Sequence, residues 1–221
     1  KLLNALSQAS FIHVRNGNNP IDEDRFNQSY MMHATTSPLY AIAVSNDIGA
    51  AMMDGNSGKS LIKEVVKEAV EFRQEIGRLY KEFTAKNDWF FKPWNAEKVT
   101  DPKTKKEYNF EEAPIELLTT EQDCWIMHPE DKWHGFANLP ENWAMLDPIK
   151  VSILAPGMGD DGELLEKGVP AALVSAYLAK YGIVPTRTTD FQVMFLFSMG
   201  ITEGKWSTLV NVLLSFKKHY D

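Results

Sequence analysis

Apolar residues recur at steps of three and four between residue 59 and about residue 85: Leu61, Val65, Ala69, Phe72, Ile76, Leu79 and Phe83. That spacing predicts one long amphipathic helix, with Lys63, Glu64, Lys67, Glu68, Glu71, Arg73 and Glu75 on its wet face. Further helices are predicted around it. Asp22 is placed as an N-cap ahead of Phe26, Tyr30 and Met31. Ser37-Pro38 repeats the start signal, a capping hydroxyl and then proline at the first helical position, for a helix running toward Met53. Val169-Pro170 opens a helix through Tyr181 that Gly182 ends, and Thr202 caps a last helix to about Tyr220.

Strand-like runs are shorter. Ser10 to Val14 reads as a strand closed by the turn residues Asn16 to Pro20, and Cys124–Met127, Ile149–Leu154 and Phe191–Met199 read the same way. Residues 95–122 are polar, rich in lysine, proline and acids, and are predicted to form an exposed excursion. Strands alternating with helices after residue 123 predict an α/β layer, helices on a small sheet. Met31-Met32, Met52-Met53 and the six tryptophans are read as core.

Composition narrows the class. A chain of 221 residues with 44% hydrophobic positions can bury a core, as one large domain or two small ones. The single cysteine, Cys124, excludes an internal disulfide framework and fits a reducing compartment. The start of the chain carries no basic, apolar leader and no apolar run reaches about 18 residues, so the expectation is a cytoplasmic protein with no membrane partner. A formal net charge of -7 argues against nucleic acid as a partner and suits a cationic substrate.

Several motifs yield bland readings. In Gly55-Asn56-Ser57-Gly58-Lys59-Ser60 the glycine that a phosphate loop requires is replaced by Met53, so a helix-to-helix turn is expected there. Cys124, His128 and His134 lack the spacing of a zinc site, and no metal is expected. Gly-x-Ser-x-Gly is absent, so spacing picks out no serine nucleophile.

Four strings carry more information: Lys1 to Val14, Tyr30-Met31-Met32-His33-Ala34-Thr35-Thr36-Ser37-Pro38, Trp133-His134-Gly135-Phe136 and Leu146-Asp147-Pro148-Ile149-Lys150-Val151. Together they resemble the large bacterial ornithine/lysine/arginine decarboxylases, fold-type-I enzymes that use pyridoxal 5′-phosphate, and the likeness extends over essentially the whole chain. It implies an α/β, aspartate-aminotransferase-like fold. Residues 1–55 would end the cofactor-binding large domain and 56–200 would form the small α/β domain. Residues 201–221 would be a helix leading toward a C-terminal domain outside this chain.

The resemblance also implies a site. Lys1 would be the lysine that carries the cofactor, a role that needs a primary amine able to lose its proton. Thr35, Thr36 and Ser37 would hold the phosphate and reach across a homodimer, with Ala34 standing where the lysine-specific members have threonine. Trp133-His134-Gly135-Phe136 would be a structural or pocket-lining signature. Thr186 stands where the lysine and ornithine members carry a glutamate for the distal amine, which leaves room for a guanidinium, and Asp190 is a candidate acid to recognise it. The implied reaction is decarboxylation of L-arginine to agmatine and carbon dioxide with uptake of a proton, serving acid resistance, in a homodimer that assembles into a decamer. Lysine or ornithine are the alternative substrates. A reading of another class is a non-catalytic assembly module, because the groups that would hold the pyridine ring precede Lys1.

Overall fold

The long periodic stretch forms a single helix, α3, Gly55–Ala85. It follows α1, Glu23–His33, and α2, Tyr40–Met53. The computed structural model describes residues 11–136, 138–159, 163–166, 168–201 and 204–221. Its contacts divide the chain into two compact units, one ending at Leu61 and the other beginning at Ile62.

In the first unit, Asp22 caps α1 as expected, its Oδ1 accepting from the Arg25 N–H at 2.8 Å. The other sequence expectations here need correction. Residues 11–14 are exposed and belong to no strand; Ser10 lies outside the described residues. Helix α2 starts two residues past Pro38, with Leu39 at its N-cap and no side-chain cap, so Ser37 caps nothing. Met31, Met32 and Met52 are exposed rather than core, because two short helices enclose almost no interior: α1 buries nothing and α2 only Ser45 and Gly49. Between α2 and α3 the chain turns at Gly55, whose φ of +62° suits glycine. A Cβ on Gly58 would meet the Met53 carbonyl oxygen at 2.1 Å, so the turn also requires glycine there.

The second unit contains, in order, β1 (Lys92–Pro93), β2 (Lys98–Thr100), β3 (Glu107–Asn109), α4 (Ile115–Thr120), β4 (Lys150–Leu154), α5 (Ala171–Lys180), β5 (Arg187–Thr188), β6 (Gln192–Leu196) and α6 (Trp206–Tyr220). One sheet has the order β1-β4-β6-β5, antiparallel throughout, with Val151 opposite Phe195 and Ile153 opposite Val193. These residues join Phe72 and Ile76 of α3, Val174 and Leu178 of α5, and Leu213 and Phe216 of α6 in one core. Each fully buried Ile, Leu or Phe of this kind contributes about 1.5–3 kcal/mol.

Residues 95–122 are not merely an exposed excursion. Strands β2 and β3 pair, and Val99, Phe110, Leu117 and Leu118 build a second core with Val66 and Val70 of α3 and with Cys124 and Trp125. The polar residues mask this because two three-residue strands give too little alternation to read. Cys124 to Met127 is likewise a tight 3-10 turn, Gln122–Trp125, followed by a single bridge from Ile126 to Met145. Trp143, read as core, is exposed. Thr202 lies outside the described residues, and α6 begins at Trp206.

The wet face assigned to α3 is also wrong at two places. Glu68 is buried and accepts from the Gly204 N–H at 3.0 Å. Arg73 is fully buried; its Nη1 donates to the Trp94 carbonyl at 3.3 Å, and its Nη2 to those of Asp147, Pro148 and Lys150 at 3.3, 3.4 and 2.8 Å. Arg73→Met in the full-length protein is expected to lower stability by about 3 kcal/mol or more, since buried carbonyls lose a charged donor. Urea unfolding reads this directly, and a loss below about 1 kcal/mol would show that the carbonyls do not depend on the guanidinium.

Burial, with help from Glu121, Asp123 and Asp101, pushes the Cys124 thiol up to about 11. At pH 8 only about one such thiol in a thousand is ionised. Iodoacetamide at pH 8 is therefore expected to spare Cys124 in the native protein and modify it in denaturant, as peptide mass spectrometry would show; rapid native labelling would contradict its burial.

Candidate functional site

The hydroxyl-rich loop after α1 is built from its own backbone. Thr35 Oγ1 accepts from the Ser37 N–H at 3.1 Å, which closes a short turn and leaves the Thr35 hydroxyl proton to donate elsewhere. Thr35, Thr36 and Ser37 are all exposed in this chain. Three hydroxyls on one loop suit a phosphate, although they precede α2 by several residues instead of forming its N-terminus.

His33, in the last turn of α1, belongs to the same place and was not singled out from sequence. Its Nδ1 donates to the Ser29 carbonyl at 2.9 Å, which ties the ring back onto α1. The signal was available in the string that carries Thr35 to Ser37, two positions before it. Lys1, the residue on which the proposed chemistry would rest, lies outside the described residues.

Thr186 and Asp190 belong to the second unit and stand at opposite ends of the edge strand β5. The strand is held firmly: the Thr186 N–H donates to the Met194 carbonyl at 2.8 Å, the Thr189 N–H to that of Gln192 at 2.9 Å, and the Thr188 hydroxyl to Ser175 Oγ at 3.2 Å. The Asp190 carbonyl accepts from the Ala171 N–H at 2.9 Å, at the start of α5. Both side chains are exposed and make no hydrogen bond or ion pair among the described residues, so each is available to a ligand.

The histidines near Cys124 are engaged in structure. His134 is buried; its Nε2 donates to the His128 carbonyl at 2.7 Å and its Nδ1 accepts from the Phe136 N–H at 3.0 Å. His128 Nδ1 lies 2.8 Å from Glu141. Trp133 packs edge-on against Trp94 at 5.3 Å, and both flank the second core. Among the described residues no group of three metal-ligating side chains could hold an ion.

Comparison with known proteins identifies the family. The family described as Orn/Lys/Arg decarboxylase, major domain, matches residues 1–205. The biodegradative arginine decarboxylase of Escherichia coli is 72% identical over 221 residues, all of this chain and 29% of that protein. The lysine decarboxylase LdcA of Pseudomonas aeruginosa is 43% identical over 222 positions, all of this chain and 27% of that protein. Among solved structures, the constitutive lysine decarboxylase of E. coli superposes with a TM-score of 0.76 at 41% identity, covering all of this chain and 28% of that one. The lysine decarboxylase LdcF of Francisella novicida gives 0.80 at 34%, covering all of this chain and 27% of that one. The chain thus spans under a third of the length of the relatives it matches. Its mixed helix-and-sheet architecture is part of the lysine decarboxylase fold, as the α/β expectation required. With 205 of its 221 residues matched, the chain belongs to the ornithine/lysine/arginine decarboxylases and lies in their major domain.

Proposed function

We propose that the protein containing this chain decarboxylates L-arginine to agmatine and carbon dioxide, taking up one proton, with pyridoxal 5′-phosphate as cofactor. The observation that carries the reading is the 72% identity to a biodegradative arginine decarboxylase across the whole chain, against 43% to a lysine decarboxylase. The activity belongs to the full-length protein, since this chain supplies under a third of such a relative.

In this reading the Lys1 amine holds the cofactor covalently, and the hydroxyls of Thr35, Thr36 and Ser37 bind its phosphate. When bound, the cofactor supplies an electron sink for the bond to the departing carboxylate. Thr186 leaves space for the guanidinium and Asp190 offers it a carboxylate; the Thr186 backbone is tied to β6 and that of Asp190 to the start of α5, so little ordering is required when substrate arrives. Residues 1–55, 56–200 and 201–221 divide as the end of the large domain, the small domain and a helix toward a further domain. The site is completed across a homodimer, within a decamer in the cytoplasm. Lysine remains the competing substrate, because lysine decarboxylases also match the chain over its whole length.

Borohydride reduction of the full-length protein, followed by peptide mass spectrometry, is expected to leave one cofactor-sized adduct on Lys1, and arginine to exceed lysine and ornithine by about 100-fold or more in kcat/KM. An adduct on another lysine, or comparable turnover of lysine, would overturn the assignment. Thr186→Glu is expected to lower kcat/KM for arginine by roughly tenfold while raising that for lysine, the carboxylate crowding a guanidinium but pairing with an amine. Unchanged preference would remove Thr186 from substrate recognition.

A further inference from the structure

Between Phe11 and Ile21 the chain forms neither helix nor strand, and every residue of the stretch is exposed. Within it stands Asn16-Gly17, the one place in the sequence where glycine follows asparagine. A Cβ built on Gly17 would meet nothing within 4 Å. The Gly17 N–H and the Asn16 side-chain amide make no hydrogen bond among the described residues.

These conditions act together on one bond. The Asn16 side-chain carbonyl carbon and the Gly17 backbone nitrogen are placed by the covalent chain to close a five-membered ring. Closure requires that nitrogen to release its proton and approach Cγ, which a hydrogen bond on the N–H or a side chain on the following residue hinders. Other asparagines lack this freedom. After Asn87, Asn109 and Asn142 the N–H is engaged: that of Asp88 donates to the Phe83 carbonyl at 3.0 Å, that of Phe110 to Glu97 at 2.9 Å, and that of Trp143 to Pro140 at 3.2 Å. In the same loop, Asn19 precedes Pro20, which has no N–H, and Asn18 precedes a residue with a side chain.

We propose that Asn16-Gly17 is a site of spontaneous covalent modification, where the asparagine loses ammonia and, with one water, becomes aspartate or isoaspartate. The Gly17 nitrogen bonds to Asn16 Cγ as its proton passes to solvent. The bond from Cγ to the side-chain nitrogen breaks, and that nitrogen takes up a proton and leaves as ammonia. Water then opens the cyclic imide. Cleavage at Cγ restores the ordinary main chain with an aspartate, whereas cleavage at the main-chain carbonyl carbon sends the chain through the side chain as isoaspartate. Nothing is oxidised or reduced. Either product sets a new carboxylate beside Arg15, and the isoaspartyl form lengthens by one carbon the stretch leading to the Asp22 cap of α1. The proposal does not rest on the activity proposed for the protein.

The test incubates the full-length folded protein at mildly alkaline pH in water labelled with heavy oxygen, beside a free peptide of residues 11–21, and follows both by peptide mass spectrometry. Asn16 is expected to become a carboxylate carrying the label, in two chromatographically separate forms, one of which an isoaspartyl methyltransferase esterifies. Conversion in the folded protein is expected to stay within tenfold of the peptide's rate and to exceed that at Asn18 at least tenfold. Gly17→Ala, which the open surroundings accommodate, is expected to slow it at least tenfold. A folded protein that reacts more than tenfold slower than the peptide, equal conversion at Asn18, an undiminished rate in Gly17→Ala, or a product without the label would each overturn the proposal.

Discussion

The guanidinium of Arg73 connects α3 to the end of β1, through the Trp94 carbonyl, and to the start of β4, through Asp147, Pro148 and Lys150. It lies 5.4 Å from the centre of the Trp125 ring, so the second core also closes over it. Burial lowers its pKa to about 9 and the charge of Asp147 opposes that fall, so the group stays protonated at neutral pH. An arginine serves here because a planar fork with several donors can meet carbonyls from two segments at once, which lysine could not do in one plane. Its neighbour Gln74 does similar work on the other flank, its Nε2 donating to the carbonyls of Phe110 and Ala113 at 3.0 and 2.8 Å.

A second buried cation fastens the far end of the unit. Lys217 of α6 is 5% exposed, with its ammonium 4.7 Å over Trp89 and 5.2 Å over Phe83, and it is paired with Asp88 at 2.8 Å and Asp221 at 2.5 Å. Desolvation alone would lower its pKa, but the hydrogen bonds to Asp221 and Asp88 outweigh it and the net shift is upward. The ion pairs and rings bring α6 back to the loop that leaves α3. Both ends of the second unit are thus tied by cations that each meet several partners at once.

The two groups of candidate residues, one in each unit, have different supports. Thr186 and Asp190 flank a strand whose hydrogen bonds and helix contact fix its backbone within this chain. The loop of Thr35 to Ser37 connects two helices that bury almost nothing of their own. Exposed Tyr30, Met32, Tyr40, Val44 and Ile48 give that unit an apolar surface that so small a body cannot cover.

By itself the sequence determined the long helix, the Asp22 cap, the strand at residues 150–154 and the helix that Gly182 ends, since each depends on neighbours a few positions apart. Its strings also determined the family, and the roles proposed for Lys1, Thr35, Thr36, Ser37, Thr186 and Asp190 rest on that resemblance and not on spacing. Only the tertiary structure decided that Arg73 and Glu68 are buried, because their partners lie 21 to 77 residues away for Arg73 and 136 for Glu68. It likewise decided that residues 95–122 enclose a core. A charged residue on a helix reads as solvated until distant carbonyls converge on it, and that convergence has no local signature in the chain.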